Sequence, residues 1–445
     1  MSSPDQSSLP TDYRIVSFLV RTHSHDKAIN IAQHVADIEI YENIELPYLT
    51  GSFFMKDEMR FIDGISFNGT ETCDITFESQ TENKPIITKT FTLVEITDTK
   101  KNADNSEILR IRIVENIFFN NNLMKINKAY VGTPDKIIKK IIKDNFNVNI
   151  NLPKIKPHQK TMKVIIPFLN PFEACEWIRS KMSTELGMPY FFFSTLNDKN
   201  LNLISLEEIF KIGPWTQGRP YTFSAAYNQG ATDTKLDDNL LNIAAFRSKN
   251  KDNVLSLINS SSTAGHHTIT DMTTGQSIDY IFDVDKLFED LIAFQFIDKN
   301  HKPIHHSKYE HNGKLMNEYN TSNIHRMVTN NTYNGINNYN EEETTANFRL
   351  QACVNAYRNM LFKTSINVTV PGRPYLMGIN SSIGRQIEVV YPANDSFVSN
   401  TSSVTAIDLE DKKRSGTYII YATRHTFAET QHNVDITAVK LGNRK

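Results

Sequence analysis

Gly416-Thr417-Tyr418-Ile419-Ile420-Tyr421-Ala422-Thr423-Arg424-His425-Thr426-Phe427, then a polar turn, then Asn433-Val434-Asp435-Ile436-Thr437-Ala438-Val439: this stretch decides the fold. β-Branched and aromatic residues dominate both runs, and a short polar segment separates them, so they read as a hairpin that completes a β-domain. Just before it, Ile383 to Tyr391 reads as a strand and Ala393 to Ser403 as a polar loop. Phe362 to Val370 alternates Phe362, Thr364, Ile366 and Val368 with polar neighbours, and Pro371-Gly372 turns the chain. A helix from about Thr345 to Leu361 leads into that strand, with Leu350, Cys353, Val354, Tyr357, Met360 and Leu361 at helical spacing.

Further out, residues 12–118 read as a second all-β unit. Val35 to Glu42 alternates, with Ala36, Ile38 and Ile40 on one face and Asp37, Glu39 and Tyr41 on the other. Cys73, Ile75 and Phe77 alternate with Asp74, Thr76 and Glu78, and Leu109, Ile111 and Ile113 with Arg110 and Arg112. Turns at Asp63-Gly64 and Asn68-Gly69-Thr70 separate such runs, a spacing that suits a small barrel or sandwich.

Residues 119–218 read as an α+β domain. Thr133-Pro134-Asp135 starts one helix, whose apolar face is Ile137, Ile138, Ile141, Ile142 and Phe146. Lys136, Lys139, Lys140 and Lys143 form its solvated face rather than a binding patch. Asn170-Pro171-Phe172-Glu173 starts another, with Glu173 at the capping-box position, Cys175, Ile178, Met182 and Leu186 as its buried stripe, and Gly187 at its end. Strands follow at Tyr190 to Ser194 and Leu201 to Ser205, around the polar turn Asn197 to Asn200. Residues 219–250 return to strands and belong with 345–445. Residues 251–344, rich in Asn, His, Ser and Thr, read as an irregular surface insertion with short strands at Thr268 to Met272 and Ile278 to Phe282. Residues 1–11 read as a disordered tail rather than a signal peptide.

The chain of 445 residues is long enough for three or four domains. A net charge of −2 excludes a sequence-wide basic field for nucleic acid or acidic membrane. The apolar runs are too short to span a bilayer as a helix. Cys73, Cys175 and Cys353 lie far apart on apolar positions, so buried free thiols and a reducing compartment are expected.

The chain holds no Gly-rich phosphate loop, His-Glu-x-x-His, Cys-x-x-Cys, EF-hand loop or Gly-x-Ser-x-Gly elbow. His23 and His25, His266 and His267, and His301, His305, His306 and His311 cluster, but their spacing matches no metal pattern and surface loops are the plainer reading. Glu173 and Glu176 lie close before Trp177, yet helix capping and solvent explain both carboxylates. Asp283-Val284-Asp285 carries no metal signal by itself. No catalytic, cofactor-binding or metal residue is assigned, and no cofactor is expected.

One resemblance covers most of the chain outside the insertion. It rests on Leu49-Thr50-Gly51-Ser52-Phe53 with Ile62-Asp63-Gly64-Ile65 and Gly69-Thr70-Glu71-Thr72-Cys73-Asp74-Ile75, on Val131-Gly132-Thr133-Pro134 opening a helix, on Asn170-Pro171-Phe172 leading to Tyr190-Phe191-Phe192-Phe193, and on the hairpin from Gly416. In this order they resemble the central baseplate hub proteins of contractile-tailed bacteriophages, whose fold recurs in type VI secretion spike proteins. The resemblance implies a β-rich α+β fold: two small antiparallel β-barrel domains of hub or tube type, an α+β domain and the irregular insertion. It implies a non-enzymatic virion protein, assembled in the bacterial cytoplasm, whose homotrimer joins a sixfold tail tube to a threefold central spike and lines the DNA ejection channel. Implied partners are a spike that can carry lysozyme, a tube-initiating protein, and wedge or tape-measure proteins. The competing reading is a tail-associated cell-wall-degrading or glycan-binding protein with its site in residues 251–344. An injection spike of type VI kind would need a β-helical needle after the second β-domain, where this chain stops at Lys445.

Overall fold

The computed structural model describes residues 13–22, 25–58, 60–79, 86–101, 106–159, 161–215, 219–223, 241–250, 264–271, 275, 277–297, 301–303, 310–315, 323–328, 341–361, 364–372, 382–392, 410–428, 431–440 and 442–444. The chain is β-rich and α+β, and a 14-stranded sheet runs through it.

The first half of that sheet comprises β1 (Tyr13–Thr22), β2 (His25–Asn30), β3 (Val35–Asn43), β4 (Thr50–Asp57), β5 (Thr72–Ser79), β6 (Ile86–Lys101) and β7 (Glu107–Glu115). β2 and β3 are one strand broken at residues 31–34. β2 pairs β1, whereas β3 pairs β4. The pairings then run β4–β7–β6–β5–β1 and return to β2, all antiparallel. With the broken strand counted once, this is a closed six-stranded barrel. Alternation sends Phe18, Val20, Ile38, Ile40, Phe53, Ile75, Phe77 and Ile111 inward, where all are fully buried. A bulge between Val35 and Asp37 shifts the start of β3, so Ala36, expected beside Ile38 and Ile40, faces solvent. A short helix, Phe61–Ile65, occupies the turn expected at Asp63-Gly64, and another, Asn116–Asn122, follows β7 directly.

The middle of the chain contributes β8 (Ala129–Gly132), β9 (Ile150–Asn151), β10 (Met162–Ile165), β11 (Tyr190–Phe193) and β12 (Leu201–Ser205). β10 pairs β8, and β12 pairs both β11 and β9. Helices Pro134–Phe146 and Pro171–Arg179 pack Ile137, Ile138, Ile141, Ile142, Cys175 and Ile178 into one core with Tyr190, Phe192 and Leu203. The second helix starts with a capping box, Asn170 N–H donating to Glu173 Oε2 at 2.9 Å. It stops at Arg179 rather than at Gly187. Gly187 instead permits a close approach. At φ 75° it lies against the long helix Glu341–Leu361, where a Cβ would stand 2.5 Å from Cys353 Cβ.

The second half of the sheet begins with β13 (Tyr221–Phe223), β14 (Asn242–Ile243) and β15 (Ala245–Asn250). Between these and the remaining strands of the sheet, β16 (Ala264–Asp271), β17 (Ser277–Asp283), β18 (His301–Pro303), β19 (Glu310–His311), β20 (Lys314–Leu315) and β21 (Asn323–Val328) belong to smaller, separate sheets. The second half of the large sheet ends with β22 (Thr364–Pro371), β23 (Gln386–Val390), β24 (Gly416–Ala428) and β25 (Gln431–Lys440), and β26 (Gly442–Arg444) pairs β18. Again one strand is broken, here at Ala244: β14 pairs β13 and β15 pairs β22. The ring then runs β22–β25–β24–β23–β13. If each half's six strands are lettered a to f in chain order, both rings read a-b-c-f-e-d. The two barrels have the same connectivity. They differ at strand a, because β13 runs parallel to both neighbours while β1 is antiparallel to both of its own.

The irregular surface insertion needs correction. β16 lies between β17 and β21 in a three-stranded sheet, and Val284–Ala293 is a helix. Its Leu287, Phe288 and Leu291 are buried in the same cluster as Ile366, Val368, Ile436 and Tyr357 of the second barrel and the long helix. A low-hydrophobicity segment thus supplies core, because three apolar residues at helical spacing suffice.

Candidate functional site: the junction of the two barrels

β24 serves both barrels. Gly416 to Ile419 pairs with β23, and Ala422 to Ala428 pairs with β3 of the first barrel, from Ala422↔Asn43 to Ala428↔Asp37. Phe427, fully buried, lies in the first barrel's core, stacked on Phe77 at 4.3 Å and edge-on to Tyr13 at 4.9 Å. The hairpin that reads as the end of one β-domain is therefore the ladder joining two.

A single carboxylate anchors this joint. Glu42, on β3, is 1% exposed. Its Oε1 accepts the Leu196 N–H at 2.6 Å, from the loop between β11 and β12. Its Oε2 accepts Thr423 Oγ1 of β24 at 2.6 Å and the Ser382 hydroxyl that precedes β23. His425 Nε2 lies 3.3 Å from the same oxygen, and His425 Nδ1 is 3.1 Å from His432 Nε2. One side chain thus bonds to both barrels and to the α+β domain. Burial alone would raise the Glu42 carboxyl; the His425 imidazole and the Leu196 and Ser382 donors outweigh it and hold the pKa at about 2. Burial, and then the neighbouring His425 ring, push His432 well below the usual histidine range, so it is neutral. Gly372 makes room for that ring: a Cβ there would stand 2.2 Å from His432 Nδ1. The turn glycine is needed for packing.

Three residues on, Glu45 meets two arginines. Arg179 Nη2 is 2.8 Å from Glu45 and also binds Glu176, and Arg179 Nη1 donates to the Tyr190 carbonyl at 2.6 Å. Arg358 of the long helix reaches Glu45 at 3.3 Å and lies over the Phe191 ring. Burial would lower the Arg179 pKa, but Glu176 and Glu45 raise it overall. A third tie joins Lys89 of β6 to the Asp198 carbonyl at 2.6 Å and to Glu115 at 3.4 Å. Leu196, from the same loop as Asp198, is 1% exposed inside the first barrel's core.

Ser382, Glu42 and His425 are residue types of a hydrolase triad, but their order is wrong. The hydroxyl donates to the carboxylate rather than to an imidazole, and all three are at most 1% exposed. The cluster is built to hold chain segments together. Beside it, a cleft of about 700 Å³ is lined by Tyr41, Arg247, Asn367, Arg424, Asp435 and Thr437 among others. Of its two arginines, Arg424 is bound to Asp435 and lies 3.8 Å from Glu39.

The residues singled out in the sequence lie elsewhere. Cys73, Cys175 and Cys353 are buried free thiols. His266 is exposed, 3.7 Å from Asp279. His311 is exposed, and the side chains of His23, His25, His267, His301, His305 and His306 lie outside the described residues. Among the described residues no three His, Cys, Asp or Glu side chains converge as metal ligands. Glu173 caps its helix, whereas Glu176, read as solvent-facing, also binds buried Arg179. Asp285 sits in the first turn of the helix Val284–Ala293. Glu42 was legible, since it shares the inward parity of Ile38 and Ile40, as His425 shares that of Phe427.

No family model and no curated protein sequence matches the chain. Solved structures do. The tail protein from Neisseria meningitidis MC58 aligns over 96% of this chain and 97% of its own, at 11% identity and a TM-score of 0.50. The 43 kDa tail protein of prophage MuSo2 from Shewanella oneidensis aligns over 95% and 97%, at 12% identity and a TM-score of 0.51. The chain shares the fold of these two tail proteins over nearly its whole length.

Proposed function

We propose that the chain is the structural hub of a contractile-tailed phage baseplate, a homotrimer joining a sixfold tail tube to a threefold central spike. The observation that carries the reading is the duplication: one chain holds two six-stranded barrels of the same connectivity, fused side by side through the β24–β3 ladder. Three such chains supply six near-equivalent barrels, so a threefold ring presents sixfold contacts to the tube above it. The likeness to two tail proteins supports the setting. The sealed Glu42 cluster and the Glu45–Arg179 tie suit a part that transmits load rather than one that turns over substrate, and no reaction is assigned to it.

The ring would line the channel for the leaving DNA. A chain of net charge −2, with Arg424 of the cleft bound to Asp435, suits passage without grip. The partners are a central spike, which can bear a lysozyme, a tube-initiating protein, and wedge or tape-measure proteins. The location is the tail baseplate of the virion, after assembly in the host cytoplasm. Gold-labelled antibody against the chain, applied to disrupted virions, tests this. Label at the tail tip distal to the head is expected; label along the tube, at the head or on no particle would overturn it.

A further inference from the structure

The intrachain joint uses two edges, and each has a counterpart that no strand among the described residues covers. In β24 the first half pairs with strand d, β23; a bulge follows at Tyr421; the second half pairs with strand b of the other barrel, β3. β6 is built the same way as far as its first bulge, and carries a second bulge at Thr97 that β24 lacks. Ile86 to Thr92 pairs with its own strand d, β5, and a bulge follows at Val94. From Glu95 to Lys101 it pairs with β7 on one side, and no strand lies on the other among the described residues. β15, the counterpart of β3, pairs with β22 on one side only among the described residues. Ala245, Arg247, Ser248 and Lys249 are exposed, as are Glu95, Asp98, Thr99, Lys100 and Lys101.

We propose that the Glu95–Lys101 edge of β6 pairs antiparallel with β15 of a second copy of this chain, repeating between chains the ladder that β24 and β3 make within one. The proposal rests on the three-copy ring proposed above and names the edges that close it. Open strand edges attract unpaired chains, and a heterologous edge contact that closes after three copies leaves none exposed.

The register follows from the duplication. Leu93 faces Ile113 just before the bulge in β6, as Ile420 faces Ala438 just before the bulge in β24. Ile113 faces Gly51, which faces Ile40; Ala438 faces Ile366, which faces Ser248. Ser248 is therefore the counterpart of Ile40. Thr99 faces Leu109 as His425 faces Val434, each four residues down strand f from that anchor, so Thr99 is the counterpart of His425. Within the chain, His425 faces Ile40. Between chains, Thr99 then faces Ser248, Asp98 faces Lys249 and Lys100 faces Arg247. Asp98, on the same face as Lys100, offsets that last like-charged pair.

The test is a cysteine pair in the full chain, Thr99→Cys with Ser248→Cys, under mild oxidation. Directly opposed residues of an antiparallel ladder fall within disulfide reach, and the three native thiols are buried. Both positions are exposed, so folding is not at issue; Lys100→Cys with Arg247→Cys is a second pair in the same register. A non-reducing gel is expected to show a disulfide ladder that ends at the covalent trimer, while each single variant stays unlinked. A trimer in sedimentation that does not cross-link with either pair would overturn this pairing and leave the three-copy reading standing. A chain that sediments as a monomer would overturn both.

Discussion

Replacing Glu42 by glutamine (Glu42→Gln) keeps the shape of the junction and removes its charge. The native carboxyl is held at about 2 against an ordinary 4.5, a gap worth about 3 kcal/mol of folding free energy. Because the folded-state value is depressed, that stability is fully present above the ordinary carboxyl range. It is lost as pH falls from about 4.5 towards 2, and by pH 3 about 2 kcal/mol of it is gone. The amide has no such titration. Urea unfolding of both proteins at a series of pH values, followed through tryptophan fluorescence, reads the difference. The variant should be less stable by about 3 kcal/mol at neutral pH, and the gap should narrow to roughly 1 kcal/mol at pH 3. A difference that stays constant between pH 7 and pH 3 would refute the claim that an ionised Glu42 holds the joint.

Other perturbations separate the remaining ties. Since His432 is held neutral, protons bind the unfolded chain preferentially below about 6.5, so wild-type stability should begin to fall there, before Glu42 titrates; a flat profile from pH 7 to pH 5 would contradict this. Gly372→Ala drives a methyl into the His432 ring and should cost about 1–3 kcal/mol in thermal or urea unfolding, where an unchanged midpoint would dismiss the packing role. Arg179→Ala strips the partner from Glu45 and Glu176 and should cost about 3–5 kcal/mol, more than Arg358→Ala, because the Arg179 side chain is 2% exposed and that of Arg358 28%; equal losses would place the tie elsewhere. Leu196→Ala empties a pocket in the first barrel and should cost about 2–5 kcal/mol, with proteolysis of the loop between β11 and β12 accelerated.

Much of the fold was legible because strands and helices announce themselves by period. Ile38 and Ile40, Cys73, Ile75 and Phe77, and Leu109, Ile111 and Ile113 face inward as their alternation requires. Where a bulge adds a residue, as at Ala36, the parity rule fails locally. The role of β24 was hidden for a different reason. Alternation says which face of a strand is buried, not which strand lies beside its edge, and nothing within Gly416 to Phe427 states that its second half belongs to a barrel more than three hundred residues earlier in the chain. Two barrels were expected from the resemblance, but their shared connectivity was not legible in the residues, since any two barrels need only like patterns of apolar residues; the match of strand order and of the first bulge appears once the pairings are known. At the site, Glu42 and His425 carried a readable signal, a polar residue at inward parity. Leu196 carried a weaker one, a large apolar residue beside the polar turn Asn197 to Asn200.

The central claim is that three copies of one chain arrange six equivalent barrels in a ring. A cryo-electron microscopy reconstruction of the purified full chain, computed without imposed symmetry, tests it most directly. The account predicts a threefold particle with an open centre and six barrels at one radius, alternate joints lying within and between chains. A dimer, an open filament, or a threefold particle whose two barrels lie at different radii would contradict it.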